Sequence, residues 1–297
     1  MSQEFISIVI PIMNEEGNVS ILTDRLRNVL NGNWKYEIIF IDDGSTDNTL
    51  DAIKQLQKDD SRIVFLSFSR NFGHQNALRA GLDFAEGDCV ISMDGDLQHP
   101  PELIPELIKK WREGYDVVYT LRKDDQKTGF FKRITSGFFY SLINRLSDVN
   151  IEQGSADFRL IDKSIVAVVR KLNEDPIFFR GMIRWLGFNQ VAIEYVPDER
   201  VWGKTKYSIA KMFRFAIMGI TSFSIKPLHL SSLFGVIFAS LSFIYGIYAL
   251  VLKLFTNYAI PGWSSLLIVV SFIGGVQLLM IGILGEYIGK LFIESGR

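Results

Sequence analysis

Two stretches near the C-terminus, 230–252 and 264–284, each run about 20 residues or more without a charged side chain, enough for a helix to cross a hydrocarbon core of about 30 Å. Their succession around a short connector, 253–263, reads as a membrane hairpin, with two buried helices of a soluble protein as the alternative. Lys211, Arg214 and Lys226 precede the pair and Lys290 and Arg297 follow it, whereas the connector holds Lys253 alone. Cationic residues stay on the cytoplasmic side of a bilayer. The N-terminal domain and the tail are therefore expected in the cytoplasm, on the inner (cytoplasmic) membrane. Segment 209–224 mixes Lys211 and Arg214 with Met, Phe and Ile, the pattern of an interfacial amphipathic helix, although a core helix competes. The expected division is 1–207 as a cytoplasmic domain, 208–226 as a juxtamembrane helix and 227–297 as a membrane domain. The spans are placed at 230–252 and 264–286.

The first ~120 residues alternate short β-branched runs with helical periodicity. Strands are predicted over 6–12, 37–41, 63–67, 89–93 and 117–119, and helices over 18–30, 47–58, 75–85 and 101–113. That rhythm predicts an α/β fold, a mostly parallel sheet with helices on both faces. Residues 120–207, rich in Arg, Lys and aromatics, are expected to pack irregularly against it. The formal net charge of -1 argues against a nucleic-acid binder. The single cysteine, Cys89, sits in an apolar run, excludes an intrachain disulfide and reads as a buried, inert thiol.

In parallel sheets ligands bind beyond the carboxyl ends of the strands. Polar clusters fall there: Asn14-Glu15-Glu16 after the first strand, Asp42 to Asp47 after the second, and Asp94-Gly95-Asp96 after the fourth. Two carboxylates about a glycine can meet one hard cation while the backbone bends past a ligand. Asp94 and Asp96 are the candidate metal ligands, with Gln98 a further oxygen donor and Mg²⁺ (or Mn²⁺) the expected ion. Asp43 is placed to accept hydrogen bonds from a nucleotide's base or ribose, and Glu15 to face the same site. Ser45 or Asp47 is expected to cap the second helix. No glycine loop of the P-loop or dinucleotide type is present, so a metal is expected to hold the phosphates. His74 and His99 lack histidine or cysteine partners at zinc spacing. His74 is read as a cap or buttress of the helix starting near Gln75.

The ordered set formed by residues 11–16, 42–47, 71–77, 93–101 and 200–207 resembles the inverting family 2 glycosyltransferases. More narrowly, it resembles the polyprenyl-phosphate glycosyltransferases of the dolichol-phosphate mannose synthase and bactoprenol glucosyltransferase type. The likeness covers almost the whole chain, and the C-terminal hairpin favours the bacterial glucosyltransferase branch. It implies a nucleotide-sugar-binding domain of the GT-A type. Pro11, Glu15, Ile41, Asp43, Asp94, Gly95 and Arg122 would then bind the donor, and Asp94, Asp96 and Gln98 the divalent ion. Arg122, Arg133, Arg200 and Lys206 would meet donor or acceptor phosphates. The resemblance puts Asp157, in Ser-Ala-Asp-Phe-Arg-Leu, near the reacting carbon, as a positioning group or general base. The catalytic set is thus Asp157, Asp96, Arg200 and Lys206. Two departures stand out. Met13 occupies a position where such proteins usually carry tyrosine. The run 181–185, Gly-Met-Ile-Arg-Trp, lacks the glutamine of the Gln-x-x-Arg-Trp motif of processive members, which argues against a polymer synthase.

The resemblance implies transfer of one hexose, with UDP-glucose the favoured donor, to polyprenyl (undecaprenyl) phosphate with inversion. GDP-mannose is the alternative donor. A non-catalytic membrane scaffold or lipid-flipping partner is the alternative of another class. A homo-oligomer packed through the glycines of the hairpin is compatible with the sequence.

Overall fold

In the computed structural model, residues 4–123, 152, 154–172, 179–198, 224–255 and 262–295 are described. The run Phe-Ile-Ser-Ile-Val-Ile-Pro-Ile forms β1 (Phe5–Ile12), buried on both faces from Ile6 onward. Such a run suits the middle of a parallel sheet covered by helices. β1 pairs in parallel with β2 (Lys35–Asp42) on one side and β4 (Cys89–Ser92) on the other, and β3 (Ile63–Ser67) extends the sheet beyond β2. The full order is β3-β2-β1-β4-β6-β5-β7, with β5 (Val117–Arg122), β6 (Ser155–Asp162) and β7 (Gln190–Tyr195) completing seven strands. β6 runs antiparallel to both β4 and β5, and β5 and β7 are parallel to each other.

Helices cover the two faces. Ile6, Ile8, Ile10 and Ile12 share a core with Val19, Leu22, Leu26 and Leu30 of α1 (Glu16–Leu30) and Ile104, Leu107 and Ile108 of α4 (Ile104–Arg112). The spacings of three and four residues put these side chains on one helical face. α2 (Thr49–Asp59) adds Ile53 to the same core. On the opposite face α3 (His74–Phe84) lies against the sheet at Gly81, where a Cβ would collide with the side chains of Val9 and Ile41. Two short helices, α5 (Lys163–Lys171) and α6 (Phe179–Trp185), follow β6.

The expected strands and helices of the first 120 residues appear within about three residues of their predicted ends, the largest differences being the end of β5 at Arg122 and the start of α4 at Ile104 after a 3₁₀ turn over Pro101–Leu103. Residues 120–207 differ from expectation: among those described, two strands enter the sheet itself. β6 reads Ser-Ala-Asp-Phe-Arg-Leu-Ile-Asp, and its two central charges break the apolar run that marks a buried strand. Both charges are nevertheless buried, Asp157 at 4% and Arg159 at 3% exposure.

The chain divides into two compact units, Met1–Asn144 with Val149–Phe213, and Arg145–Asp148 with Arg214–Arg297. In the second unit α7 (Lys226–Phe255) and α8 (Trp263–Ser295) are long and apolar. Their windows Lys226–Tyr248 and Phe272–Gly289 have mean hydropathies of 1.9 and 1.6 and suffice to cross a membrane. Large apolar side chains face outward, Phe243 and Leu278 among them, where water would be an unfavourable neighbour. Phe238 meets Phe272 edge to face at 5.5 Å, and the Tyr287 hydroxyl donates to the carbonyl of Ser224 at 2.6 Å. The mostly parallel sheet and the apolar helical pair are the fold class expected from the sequence. The expected interfacial helix, 208–226, lies outside the described residues apart from its last three.

Candidate active site at the carboxyl edge of the sheet

The loops leaving β1, β2 and β3 are stitched into one unit. Asn14 takes a left-handed backbone (φ 54°), which turns its amide toward Ser45 Oγ at 2.9 Å while its own Oδ1 accepts from the Thr46 amide at 2.8 Å. The Glu15 amide donates to Thr49 Oγ1 at 2.9 Å, and its carboxylate accepts from Asn18 Nδ2 at 2.6 Å. Asp42 accepts from the Ser45 amide and the Ser67 hydroxyl, both at 3.1 Å. Gly44 (φ +69°) cannot be replaced easily, since a Cβ would lie 2.5 Å from the carbonyl carbon of Arg70. Asn48, rather than Ser45 or Asp47, occupies the cap position of α2. Asp47 accepts from the Thr49 amide at 3.1 Å, and Ser45 is engaged with Asn14 and Asp42 instead.

Asp43 is nearly buried, and its carboxylate accepts from the amides of Phe72 at 2.7 Å and Gly73 at 3.0 Å. A carboxylate offers about four lone-pair sites. Its first duty here is holding the 72–73 turn, which leaves limited capacity for a base or ribose. Pro11 and Ile41 are paired neighbours in the sheet and fully interior, with the Ile41 side chain pressed on Gly81. Neither is brought to an open surface.

The direction of β6 explains where Asp157 goes. Ser92 is opposite Arg159, so two residues further along β4 the chain reaches Asp94 level with Asp157. The Ser92 hydroxyl donates to the Asp157 carbonyl at 2.6 Å and locks that register. His74, first residue of α3, lies 3.4 Å from Asp157 Oδ2 and 3.5 Å from Asp94 Oδ1. Of the two expected roles, cap or buttress, the cap falls to Gly73, and the His74 ring points across to the two carboxylates. Burial lowers the affinity of His74 for a proton, but the Asp157 hydrogen bond and the charges of Asp94 and Asp157 outweigh it, raising its pKa to about 9. Arg180 of α6 grips Asp157 through both oxygens, Nε at 2.7 Å and Nη2 at 2.9 Å. Burial works against ionisation of Asp157, yet Arg180 and His74 hold its pKa well below the ordinary carboxylate range. A carboxylate held this way is a weak base and a firm anchor.

Asp94 is shaped from behind. His99 Nδ1 accepts from the Asp94 amide at 3.0 Å, its ring stacks on Phe158 at 5.2 Å, and Nε2 lies 3.7 Å from the Asp94 carboxylate. The ring proton therefore belongs on Nε2. A Cβ at Gly95 would come within 3.1 Å of the Ile12 side chain, which would have to give by a few tenths of an ångström, and Leu97 takes the left-handed region (φ 63°), which is strained for a bulky side chain. The Gln98 amide donates to Asp96 Oδ1 at 3.2 Å, closing the turn. Arg122, at the end of β5, reaches Gln98 Oε1 at 3.4 Å and is paired in the sheet with Tyr195. Tyr195 is pushed up to about 12 by burial, with Arg122 opposing and Asp94 and Asp96 reinforcing the rise. Asp94, Asp96, Gln98, Arg122 and Asp157 thus gather at one edge. Arg133, Arg200 and Lys206 lie outside the described residues.

Among the described residues no three His, Cys, Asp or Glu side chains form a closed metal cage. Two carboxylates with neighbouring positions left to water or phosphate suit Mg²⁺, which dehydrates reluctantly. Asp94, about one third exposed, and Asp96 fit that chemistry, and His99 Nδ1 is already committed to a backbone amide.

Sequence reading missed Arg180, Arg159 and the true role of His74. Asp157 and Arg159 stand two apart, the spacing that puts both on one face of a strand. Recognising 155–162 as a strand would have paired them. Arg180 gave no local signal, because its partner lies 23 positions away.

Acidic loops thus gather at one edge of an α/β sheet, in a chain that also carries two helices long and apolar enough to cross a membrane. Residues 7–170 match the family model described as glycosyl transferase family 2, and residues 226–291 match that of the GtrB C-terminal hairpin. The chain belongs to glycosyl transferase family 2. It is 43% identical to the bactoprenol glucosyl transferase of Shigella phage SfV over 98% of this chain and 95% of that protein. It is equally 43% identical to the uncharacterized glycosyltransferase YkcC of Bacillus subtilis, over 97% of this chain and 90% of the relative. A solved structure of Mycobacterium tuberculosis glucosyl-3-phosphoglycerate synthase with Mn²⁺, UDP and glucosyl-3-phosphoglycerate is 20% identical, with a TM-score of 0.47 over 73% of this chain and 78% of that one.

Proposed function

We propose that the protein transfers a single glucose from UDP-glucose to a polyprenyl phosphate at the cytoplasmic face of the membrane, inverting the anomeric configuration. The observation that carries this reading is the meeting of Asp94, Asp96, Arg122 and Asp157 at one sheet edge, in a chain that also carries the apolar pair α7 and α8. The glucosyl and bactoprenol parts come from the name of the phage relative.

The chemistry follows from charge. A phosphate monoester has its second pKa at about 6, so at neutral pH it is largely dianionic and already nucleophilic. Little is asked of a general base, in keeping with an Asp157 tied to Arg180. The obstacle is that the donor diphosphate is anionic too. A divalent cation, when bound at Asp94 and Asp96, would neutralise part of that charge and stabilise the leaving diphosphate. Arg122 adds a positive charge beside the same loop, and His99 keeps the Asp94 backbone in place. Attack in line with the departing diphosphate gives inversion.

The test is to incubate the purified chain with undecaprenyl phosphate and, separately, UDP-glucose, UDP-galactose, GDP-mannose or UDP-N-acetylglucosamine, then weigh the lipid by mass spectrometry. A hexose on the lipid with UDP-glucose alone is expected. Modification by GDP-mannose alone would replace the donor, and an unmodified lipid in every arm would support the scaffold reading. Orientation is tested by a cysteine at Asn257: Cys89 is buried, so an impermeant maleimide should label the new thiol from outside intact cells.

A further inference from the structure

Arg25 of α1 belongs to none of the motifs, yet it joins two segments that meet at the acidic loop. It lies three residues past Leu22, at the margin of the buried stripe of the helix. Its guanidinium forks onto Glu102, Nε at 3.0 Å from Oε1 and Nη2 at 2.6 Å from Oε2, and the same Nη2 reaches Asp198 Oδ2 at 2.9 Å. Glu102 sits in the 3₁₀ turn Pro101–Leu103, just past His99. Pro100 and Pro101 stand between the two with fixed φ, so that connection is stiff. The Asp198 amide donates to the Gln98 carbonyl at 3.2 Å, and the Gln98 amide donates to Asp96 Oδ1 at 3.2 Å. Residues 98–102, Arg25 and Asp198 thus close a ring of contacts, and Asp96 is hydrogen-bonded to that ring at Gln98.

The turn at Asp96 needs such a hold. Leu97, the next residue, is buried at 2% exposure with a left-handed backbone (φ 63°), and strain of that kind persists only where the surroundings over-determine it. Glu102 and Asp198 would repel each other without the guanidinium they share, and a two-pronged contact fixes direction as well as charge. Burial opposes the charge on Glu102, yet the Arg25 hydrogen bond holds its carboxyl below its ordinary value. These pairs are partly exposed, so their share of global stability is small and their effect is local. We propose that Arg25 is a positioning residue for the turn Asp96-Leu97-Gln98, and that its clamp on Glu102 and Asp198 raises the affinity of this turn for a divalent cation. It acts through Gln98 and Asp96 rather than on a reactant. The inference rests on the reading of Asp94 and Asp96 as the cation site, and is independent of which sugar or lipid is handled.

Binding of Mn²⁺ to the full chain in detergent with UDP present, followed by electron paramagnetic resonance, tests this without turnover. Arg25→Ala should weaken Mn²⁺ binding about 5-fold, the scale of one net hydrogen bond. Arg25→Lys keeps the charge but not the fork and should recover only part of the loss. Arg112→Ala is the control: it opens a forked pair of the same kind with Glu4, which precedes β1 at the amino edge of the sheet, and should bind Mn²⁺ as wild type does. In transfer assays the Mg²⁺ concentration giving half the maximal rate should rise about 5-fold in Arg25→Ala, while the rate at saturating Mg²⁺ stays within about 2-fold. A merely structural loss would shrink the folded fraction and lower the saturated rate instead. Unchanged Mn²⁺ affinity in Arg25→Ala, an equal loss in Arg112→Ala, or a lower saturated rate with an unmoved Mg²⁺ requirement each overturns the assignment. If Arg25→Ala fails to fold, Asp198→Ala carries the test through a smaller loss of Mn²⁺ affinity, and no loss overturns it. Mn²⁺ binding weakened by Arg25→Ala in a chain that transfers no glucose would remove the glucosyl-transfer reading and support the clamp, whereas a wild type that binds no Mn²⁺ overturns both.

Discussion

Strands β1, β2 and β4 present their acidic residues in loops just past their ends, whereas β6 carries Asp157 and Arg159 inside the strand. The difference follows from direction. A parallel strand delivers its next residues to the carboxyl edge, so Asp43 and Asp94 arrive there by chain order alone, Asp43 buried against the 72–73 turn and Asp94 about one third exposed. β6 runs the other way and brings its first residues to that edge, where burial demands that each charge find a partner from elsewhere. One half of the sheet therefore gathers acidic side chains in the loops at its carboxyl edge. The other is organised around buried ion pairs, Asp157 with Arg180 and Arg159.

Substitutions should separate the halves. The largest effect is expected from Asp96→Asn, which should cut sugar transfer on the order of 10²-fold or more, the scale of a lost electrostatic contact to a developing charge. The thermal midpoint should barely change, because Asp96 sits on a partly exposed turn; a folded variant with normal turnover would break the assignment. Arg180→Ala should instead act on stability, costing about 3 kcal/mol by denaturant titration, since it leaves Asp157 ionised, buried and without its bidentate partner. The double variant with Asp157→Asn should recover part of that loss, and strict additivity would show that the pair is not coupled.

A smaller effect, about 1–2 kcal/mol, is expected from Asp60→Asn in the parallel half. Arg62 hydrogen bonding holds Asp60 at about 2 against burial, with Arg27 assisting. Because the folded pKa lies below the ordinary 3.8, this contribution is fully present above pH 4 and is lost as the pH falls toward 2. Wild type and Asp60→Asn should accordingly converge in stability across that interval. The smallest change should come from Arg25→Ala, which opens partly exposed pairs with Glu102 and Asp198 and should cost at most about 1 kcal/mol.

The parallel half was legible because its signals are local: apolar runs of strand length, helical spacing such as Leu22-Leu26-Leu30, and acidic turns at strand ends. Asp94, Asp96 and Gln98 were recognised that way and Arg122 through the family resemblance, and the four do come together. The second half was not, since β6 hides its burial behind Asp157 and Arg159, and the partners that make this tolerable, Arg180 and His74, are remote in the chain. His74 looked like a helix cap or buttress because it stands at the start of α3. The carboxylates that turn it into a bridge, Asp94 and Asp157, are brought there by the sheet register alone.

The measurement that bears most directly on the acidic-loop mechanism is the initial rate of glucose transfer to undecaprenyl phosphate as free Mg²⁺ is titrated from chelated buffer into the millimolar range. Wild type should be silent without the ion and rise to saturation with it, while Asp96→Asn should remain low throughout. A full wild-type rate in chelated buffer would contradict the account.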